Sequence, residues 1–325
     1  MVELQWILGP LQEIKTGSFE FILKARDPLV LPAYKGSTLR GGFGYAFKRV
    51  VCALKNQDCP NCLLKEKCIY SYVFETPPPA DTRIMRKYKA APHPFIIEPP
   101  LERKRIYKTG EEFQFGLILI GRAIDYLPYF IYTFEELGRM GIGKGKSGYD
   151  LLSVHSNGHR IYDSQSKTLK PFPNHSSKDL EPPTLNLEPQ TLHLSFITPT
   201  RIQYNAHLTL DLEFHILIRN LLRRFSLLYY FHCGGDPSNW DFKGLIRQAQ
   251  EVKVKERKLR WYDWERYSGR QETRMKMGGF MGGITFEGEI GPFMPLIRAG
   301  EVLHVGKGTG FGLGKYRIGE DVSDL

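Results

Sequence analysis

Two hydrophobic periods take turns along the chain. Between 18 and 27 the apolar side chains Phe19, Phe21 and Leu23 occupy every second position, the spacing of a half-buried strand, and Pro28 and Pro32 end it. Beyond it Leu39, Phe43, Phe47, Val50 and Leu54 recur every three or four residues, which predicts an amphipathic helix capped by Ser37 or Thr38. A strand pattern over 111–122, a helix pattern over 124–139 and a strand over 149–154 follow. Residues 164–189, rich in Ser, Pro, Lys and Asn, read as a linker. A similar order follows with one strand more: a strand over 190–198, a long helix over 210–232, strands over 252–267 and 277–291, a short helix over 292–299 and a last strand at 316–318. Strand, helix, strand, strand, helix, strand is a ferredoxin-like unit. The predicted fold is therefore α+β, with two tandem ferredoxin-like domains over 1–163 and 190–325.

Each half places a glycine-rich stretch ahead of its last strand. Ile142-Gly143-Lys144-Gly145 echoes Val305-Gly306-Lys307-Gly308, and the chain reads as a weak internal duplication. In the second stretch Gly306, Gly308, Gly310, Gly312 and Gly314 alternate with other residues, with Lys307, Lys315 and Arg317 beside them. Glycine leaves backbone N–H groups uncovered and allows close approach, so such a loop suits phosphate; a ligand-free turn is the other reading. No helix and acidic residue follow as a dinucleotide-binding loop requires, and Gly306-Lys307-Gly308 lacks the Ser or Thr of a P-loop. The phosphate would then be that of a polymer.

Charge supports that direction. Lys and Arg number 45 against 35 Asp and Glu, a net +10, which favours a polyanion: RNA, DNA or an anionic membrane on charge alone. Residues 1–13 lack the basic start and apolar core of a signal peptide, and no apolar window is long enough to span a bilayer, so the expectation is a cytoplasmic protein without a membrane partner. Lys255, Arg257 and Arg260 alternate with Trp261, Tyr262 and Trp264, and between 83 and 108 eight cations are interleaved with Tyr88, Phe95 and Tyr107. Phosphates with stacked bases would suit both mixtures, and a solvated basic hairpin would suit the second equally. Gly41, Gly42 and Gly44 each cost the first helix about 1 kcal/mol against alanine. Either another chain approaches its backbone or the helix packs closely on a sheet.

Four of five cysteines fall between 52 and 68. Cys59 and Cys62 form a CxxC turn, and with Cys52 and Cys68 they make a candidate structural zinc site, free thiols being the alternative. His304 abuts the glycine loop and titrates in the range useful for proton transfer, or is a strand-end histidine satisfied by the backbone. His232 fits a helix cap or a core position. A zinc-containing DNA-binding protein is disfavoured, because no helix-turn-helix and no regular finger spacing occurs.

Three segments carry a family resemblance: Tyr267-Ser268-Gly269-Arg270-Gln271, Met277-Gly278-Gly279-Phe280-Met281-Gly282, and the run from Leu303 to Tyr316. With the looser Leu39-Arg40-Gly41-Gly42-Phe43-Gly44, the chain resembles the CRISPR-associated endoribonucleases of the RAMP superfamily that cut precursor CRISPR RNA within its repeats. The resemblance implies tandem ferredoxin-like (RRM/RAMP) domains and a metal-independent reaction, in which the ribose 2′-hydroxyl attacks its adjacent phosphate to leave a 2′,3′-cyclic phosphate and a 5′-hydroxyl. No cofactor is implied for that chemistry. The implied partner is CRISPR repeat RNA bound by a monomer or homodimer, the alternative being a non-catalytic RNA-binding subunit of a CRISPR effector complex. Many members place a catalytic histidine near the first helix, but here no histidine precedes His93. The role falls instead to Tyr34 and Lys35, just ahead of that helix, and to His304. The implied RNA contacts are Arg40, the loop residues Gly306, Lys307, Gly308, Gly310, Gly312, Gly314, Lys315 and Arg317, and Lys255, Arg257, Arg260 and Arg270.

Overall fold

The computed structural model describes residues 10–55, 57–172, 190–268 and 273–319. The chain divides into two compact units, Thr16–Asn174 and a second made of His175–Leu325 with Met1–Lys15.

In the first unit, β1 (Thr16–Ala25) is the central strand, and its alternation buries Phe19, Phe21, Leu23 and Ala25. It leads to helix α1 (Gly36–Val51), strands β2 (Phe95–Glu98) and β3 (Glu112–Ile120), helix α2 (Leu127–Met140) and strand β4 (Tyr149–Ser156), extended by β5 (His159–Asp163) and β6 (Thr168–Leu169). The sheet order is β2-β3-β1-β4-β5-β6, with every neighbouring pair antiparallel. Phe21 sits opposite Phe115 on one side and Val154 on the other. The side chains of α1 and α2 close over that row. Phe43 lies 4.8 Å from Phe130, 4.9 Å from Phe47 and 5.4 Å from Phe134, ring centre to ring centre. Such pairs add about 0.5–1.5 kcal/mol each beyond the area they bury.

The start of α1 differs from expectation. Ser37 and Thr38 lie inside the helix, whose N-cap is Lys35 without a side-chain cap bond. The Lys35 ammonium instead donates to the Glu102 carbonyl at 2.7 Å and fixes the entry from outside. The α1 glycines answer to packing at two positions of three: a Cβ on Gly44 would stand 2.1 Å from the Phe74 ring and one on Gly42 would meet Leu137 at 3.0 Å, whereas Gly41 faces open space.

The second unit repeats the plan with β7 (Thr191–Thr200), α3 (Phe214–Cys233), α4 (Phe242–Ala249), β8 (Lys253–Tyr262), a hairpin of β9 (Glu265–Ser268) and β10 (Thr273–Lys276), β11 (Gly279–Glu287), α5 (Met294–Leu303) and β12 (Tyr316–Ile318). Its sheet runs β8-β11-β7-β12, the order found in the first unit. The helix α4 carries no counterpart in the predicted plan, and the strand expected over 252–267 stops at Tyr262. The short helix expected over 292–299 runs on to Leu303 as α5. Phe196 packs against Phe280 and Tyr316 on the helix side of the sheet. From far upstream, the Glu13 carboxylate accepts a hydrogen bond from the Tyr229 hydroxyl of α3. Among the described residues no helix is long and apolar enough to cross a membrane.

Candidate nucleic-acid interface

The glycine loop follows α5 directly, and its backbone is held partly by itself and partly by the end of β7 and the residue after it. Val305 N–H donates to Gly314 O at 2.9 Å, Lys307 N–H to Arg201 O at 2.9 Å, Phe311 N–H to Gly308 O at 2.9 Å and Gly314 N–H to Pro199 O at 3.2 Å. Thr198 completes the frame: its hydroxyl donates to Gly312 O and accepts from Lys315 N–H, both at 2.9 Å. The glycines are needed for this inward folding. Gly314 has φ +78°, and a Cβ there would fall 1.9 Å from the Val305 carbonyl oxygen. Of the five glycine amides, Gly312 donates to Thr309 O and Gly314 to Pro199 O, and the surface the loop offers is cationic: Lys307 and Arg317 are exposed and Lys315 is half-buried.

His304 sits at the root of the loop with φ +58°. Its side chain is fully buried, and Nδ1 lies 3.0 Å from the Leu313 carbonyl, to which it must donate. Of the two readings of this residue, the backbone-satisfied histidine describes its surroundings. No ribose can reach a side chain with no exposed surface unless the loop opens. His232 is likewise buried, in the last turn of α3.

The face of the second sheet away from its helices carries exposed cations on its edge strands, with Ser195 buried between them. Register places Lys258, Gly283, Ser195 and Arg317 in one row across the four strands, with Arg260 opposite Met281 in the next. His193 and Thr285 form the row on the other side, their side chains 2.9 Å apart. Arg257 is drawn away from this surface: it pairs with Glu213 at 2.7 Å and Asp211 at 3.3 Å and donates to Leu212 O, tying β8 to the start of α3. Lys255 pairs with Glu287 at 3.1 Å. Arg270 lies outside the described residues.

Tyr34 and Lys35 belong to a cluster at the entry of α1. Burial raises the Tyr34 hydroxyl well above its ordinary pKa and the charge of Glu98 adds to the rise, so Tyr34 is held protonated rather than poised as a base. Lys35 is fully buried, and burial lowers its pKa against the opposing pull of Glu102. Tyr107 donates to the Glu102 carboxylate at 2.5 Å, and its ring lies 5.9 Å from the Lys35 ammonium.

A second cluster, absent from the sequence expectations apart from Arg40, joins three separate stretches of chain. Arg40 on α1 lies over the Phe74 ring at 4.6 Å, and its Nη2 is 2.8 Å from His93 Nε2. His93 Nδ1 is 2.7 Å from the Thr76 hydroxyl, which lies 3.3 Å from the Val73 carbonyl. These bonds admit one assignment of hydrogens. Guanidinium only donates, so Nε2 carries the lone pair; Nδ1–H then donates to Thr76, whose own proton goes to Val73. The ring lies 5.6 Å from Phe95 and 6.2 Å from Phe74, nearly parallel to both. Thr76 holds its place with φ +51°, a conformation uncommon outside glycine and concentrated at functional sites. The available signal was Pro92-His93-Pro94, a histidine pinned between prolines at the mouth of a buried strand.

Cys52, Cys59, Cys62 and Cys68 are free thiols, and the structure does not assemble the expected four-thiolate site. Cys59 and Cys68 pack against the hydrophobic core of the first unit. Among the described residues, no group of three or more His, Cys, Asp or Glu side chains could hold a metal.

Residues 194–316 match the family model of the CRISPR-associated endoribonuclease Cas6, and residues 14–174 match one described as an N-terminal domain. An uncharacterized protein of Archaeoglobus fulgidus is 24% identical over 194 residues, which span 59% of this chain and 63% of that relative. Among solved structures, a Cas6 product complex is similar at TM-score 0.58 and 16% identity, covering 93% of this chain and 99% of the other. Thermus thermophilus Cas6 is similar at TM-score 0.53 and 14% identity over 94% and 98%. A chain of a Cas6-RT-Cas1–Cas2 complex is similar at TM-score 0.57 and 14% identity, with 96% of this chain matched to 47% of that one. At such identities the structures speak to the fold alone, two tandem ferredoxin-like units. Residues 194–316, most of the described part of the second unit, are thus similar to the Cas6 endoribonuclease domain.

Proposed function

We propose that this chain cleaves precursor CRISPR RNA within its repeats, by attack of a ribose 2′-hydroxyl on the adjacent phosphate without a metal ion, leaving a 2′,3′-cyclic phosphate and a 5′-hydroxyl. The observation that carries the reading is the match of residues 194–316 to the Cas6 endoribonuclease family, on a unit whose sheet carries exposed cations along its edge strands. Arg260, Arg317 and the exposed Lys307 are the phosphate contacts, with Lys258 beside them paired to Glu256 at 2.8 Å, and the net charge of +10 draws a polyanion toward them. The reaction requires a proton acceptor at the 2′-oxygen, positive charge on the phosphorane and a proton for the leaving oxygen. The enclosure of His304 and Lys35 favours a second reading, an RNA-holding subunit of a CRISPR effector complex that cuts nothing.

One experiment separates them. Repeat RNA is incubated with the protein in EDTA, beside a copy carrying a 2′-deoxyribose at the cut site. The endoribonuclease reading expects cleavage of the first, with a cyclic phosphate end, and survival of the second. Tight binding with no cleavage of any repeat establishes the RNA-holding subunit; cleavage abolished by EDTA removes the metal-free mechanism.

A further inference from the structure

We propose that His93 is the base of this reaction and that Arg40 both caps it in the free protein and carries the scissile phosphate in the complex. The inference rests on the endoribonuclease reading and names the residues of that site. Three features of the Arg40–His93–Thr76 cluster point to it.

The first is the state of the imidazole. Thr76 accepts from Nδ1 and hands its own proton to Val73, so the lone pair is confined to Nε2. A base for a hydroxyl proton needs that arrangement: a neutral ring, one nitrogen tied back, the other facing outward. The second is rigidity. Thr76 is itself fixed through its backbone, donating to Ser71 O at 2.6 Å and accepting from Ala91 N–H at 2.8 Å, while Phe74 and Phe95 flank the ring. The third is the identity of the group at Nε2. A guanidinium has higher-value partners than a neutral imidazole, because its bonds to phosphate are charge-assisted and bidentate. Arg40 and His93 are both half-buried, so an incoming strand can reach them.

The arrival of a phosphate therefore does two things at once. It draws the Arg40 N–H groups onto its own oxygens, and it leaves Nε2 uncapped beside the ribose attached to that phosphate. Nε2 takes the proton of the 2′-hydroxyl as O2′ forms its bond to phosphorus. The bond from phosphorus to O5′ breaks, the leaving 5′-oxygen takes a proton from water, and the imidazolium later returns its proton to solvent. Arg40 stays on the phosphorane oxygens throughout. The base is competent only where a phosphate already sits, which keeps the pair silent without RNA.

The test compares the wild type with His93→Gln, whose amide can keep bonds to both Thr76 and Arg40 but cannot accept a proton in the reaction, and with His93→Ala. Single-turnover cleavage of repeat RNA and binding affinity are measured separately, with thermal melting as a check on folding. The expected result is cleavage slower by about 100-fold or more in both variants, the usual scale of general base catalysis, with affinity within about threefold. Added imidazole should restore cleavage to His93→Ala and leave His93→Gln unchanged. Cleavage by His93→Gln within about threefold of wild type overturns the proposal while leaving the endoribonuclease intact. So does a parallel loss of affinity and rate that imidazole does not repair, since that pattern belongs to a purely structural histidine. Failure of the wild type to cleave any repeat overturns the functional reading and this inference together.

Discussion

Alanine at Gly41 and alanine at Gly44 should shift stability in opposite directions, although both lie in α1. In an exposed helix interior the change from glycine to alanine gains about 1 kcal/mol by lowering the entropy of the unfolded chain. Gly41 has nothing within 4 Å of its would-be Cβ, so Gly41→Ala should collect that gain in full. At Gly44 the added methyl meets the Phe74 ring at 2.1 Å, far inside contact distance. The ring has little room to retreat, because Tyr70 stacks on it at 5.3 Å and Phe43 and Phe95 stand 6.3 Å away. Overpacking of this kind costs about 1–3 kcal/mol, and a contact this short belongs at the upper end. Setting that against the same gain of about 1 kcal/mol leaves Gly44→Ala destabilised by about 1–2 kcal/mol and the two variants about 2–3 kcal/mol apart. Urea denaturation followed by circular dichroism measures the difference. Phe74 also carries Arg40 and flanks His93, so Gly44→Ala should lose RNA cleavage where Gly41→Ala keeps it. Equal stability of the two variants would refute the account of α1 as a helix whose glycines make room for Phe74.

Arg257 and Arg260 are three residues apart on β8 and should separate: Arg257→Ala loses its bonds to Asp211, Glu213 and Leu212 and about 1 kcal/mol of stability, whereas Arg260→Ala leaves melting unchanged and lowers the salt dependence of RNA binding by about one counterion. Gly314→Ala should cost more than about 2 kcal/mol, since it adds strain at φ +78° to a clash with Val305 O; a wild-type denaturation curve would contradict the inward-folded loop. Lys35 predicts a pH effect. Its folded pKa lies below the unfolded value, so between the two the unfolded chain binds the extra proton and stability rises with pH. The penalty of the buried charge is complete below the folded pKa and gone above the unfolded one. The stability of wild type relative to Lys35→Met should therefore climb as pH approaches the ordinary lysine range, and a flat difference would show that Lys35 is not buried in its charged form.

The architecture was legible because its evidence is local. Phe19, Phe21 and Leu23 announce a strand by their own spacing, as Leu39, Phe43 and Phe47 announce a helix, and the repeated order of elements carries the fold. Where tertiary geometry decides, spacing says less. Alternating glycines from Gly306 to Gly314 do not show which parts of the loop backbone the protein itself takes up; the deciding contacts are with Thr198, Pro199 and Arg201, more than a hundred residues away. Arg40, Thr76 and His93 come together only once α1 lies against β2, and a search confined to the neighbourhood of the first helix passes His93 by. Helix α4 is short, with Leu245 and Ala249 its buried residues, too few for a period. Its Asp241 cap, accepting from Gly244 N–H at 2.8 Å, was the readable sign.

The bond between Glu13 and Tyr229 bears on how the chain is made. Its partners are 216 positions apart, so the segment before β1 leaves the ribosome early and waits for α3, while the whole of the first unit is synthesised between them. The first unit can fold as it emerges; the second cannot be completed from contiguous chain. Closing so long a span adds little entropy at equilibrium but delays the event in time. Refolding should therefore show the first unit's signals returning before the fluorescence of Trp240, which stacks on Tyr229 at 6.0 Å.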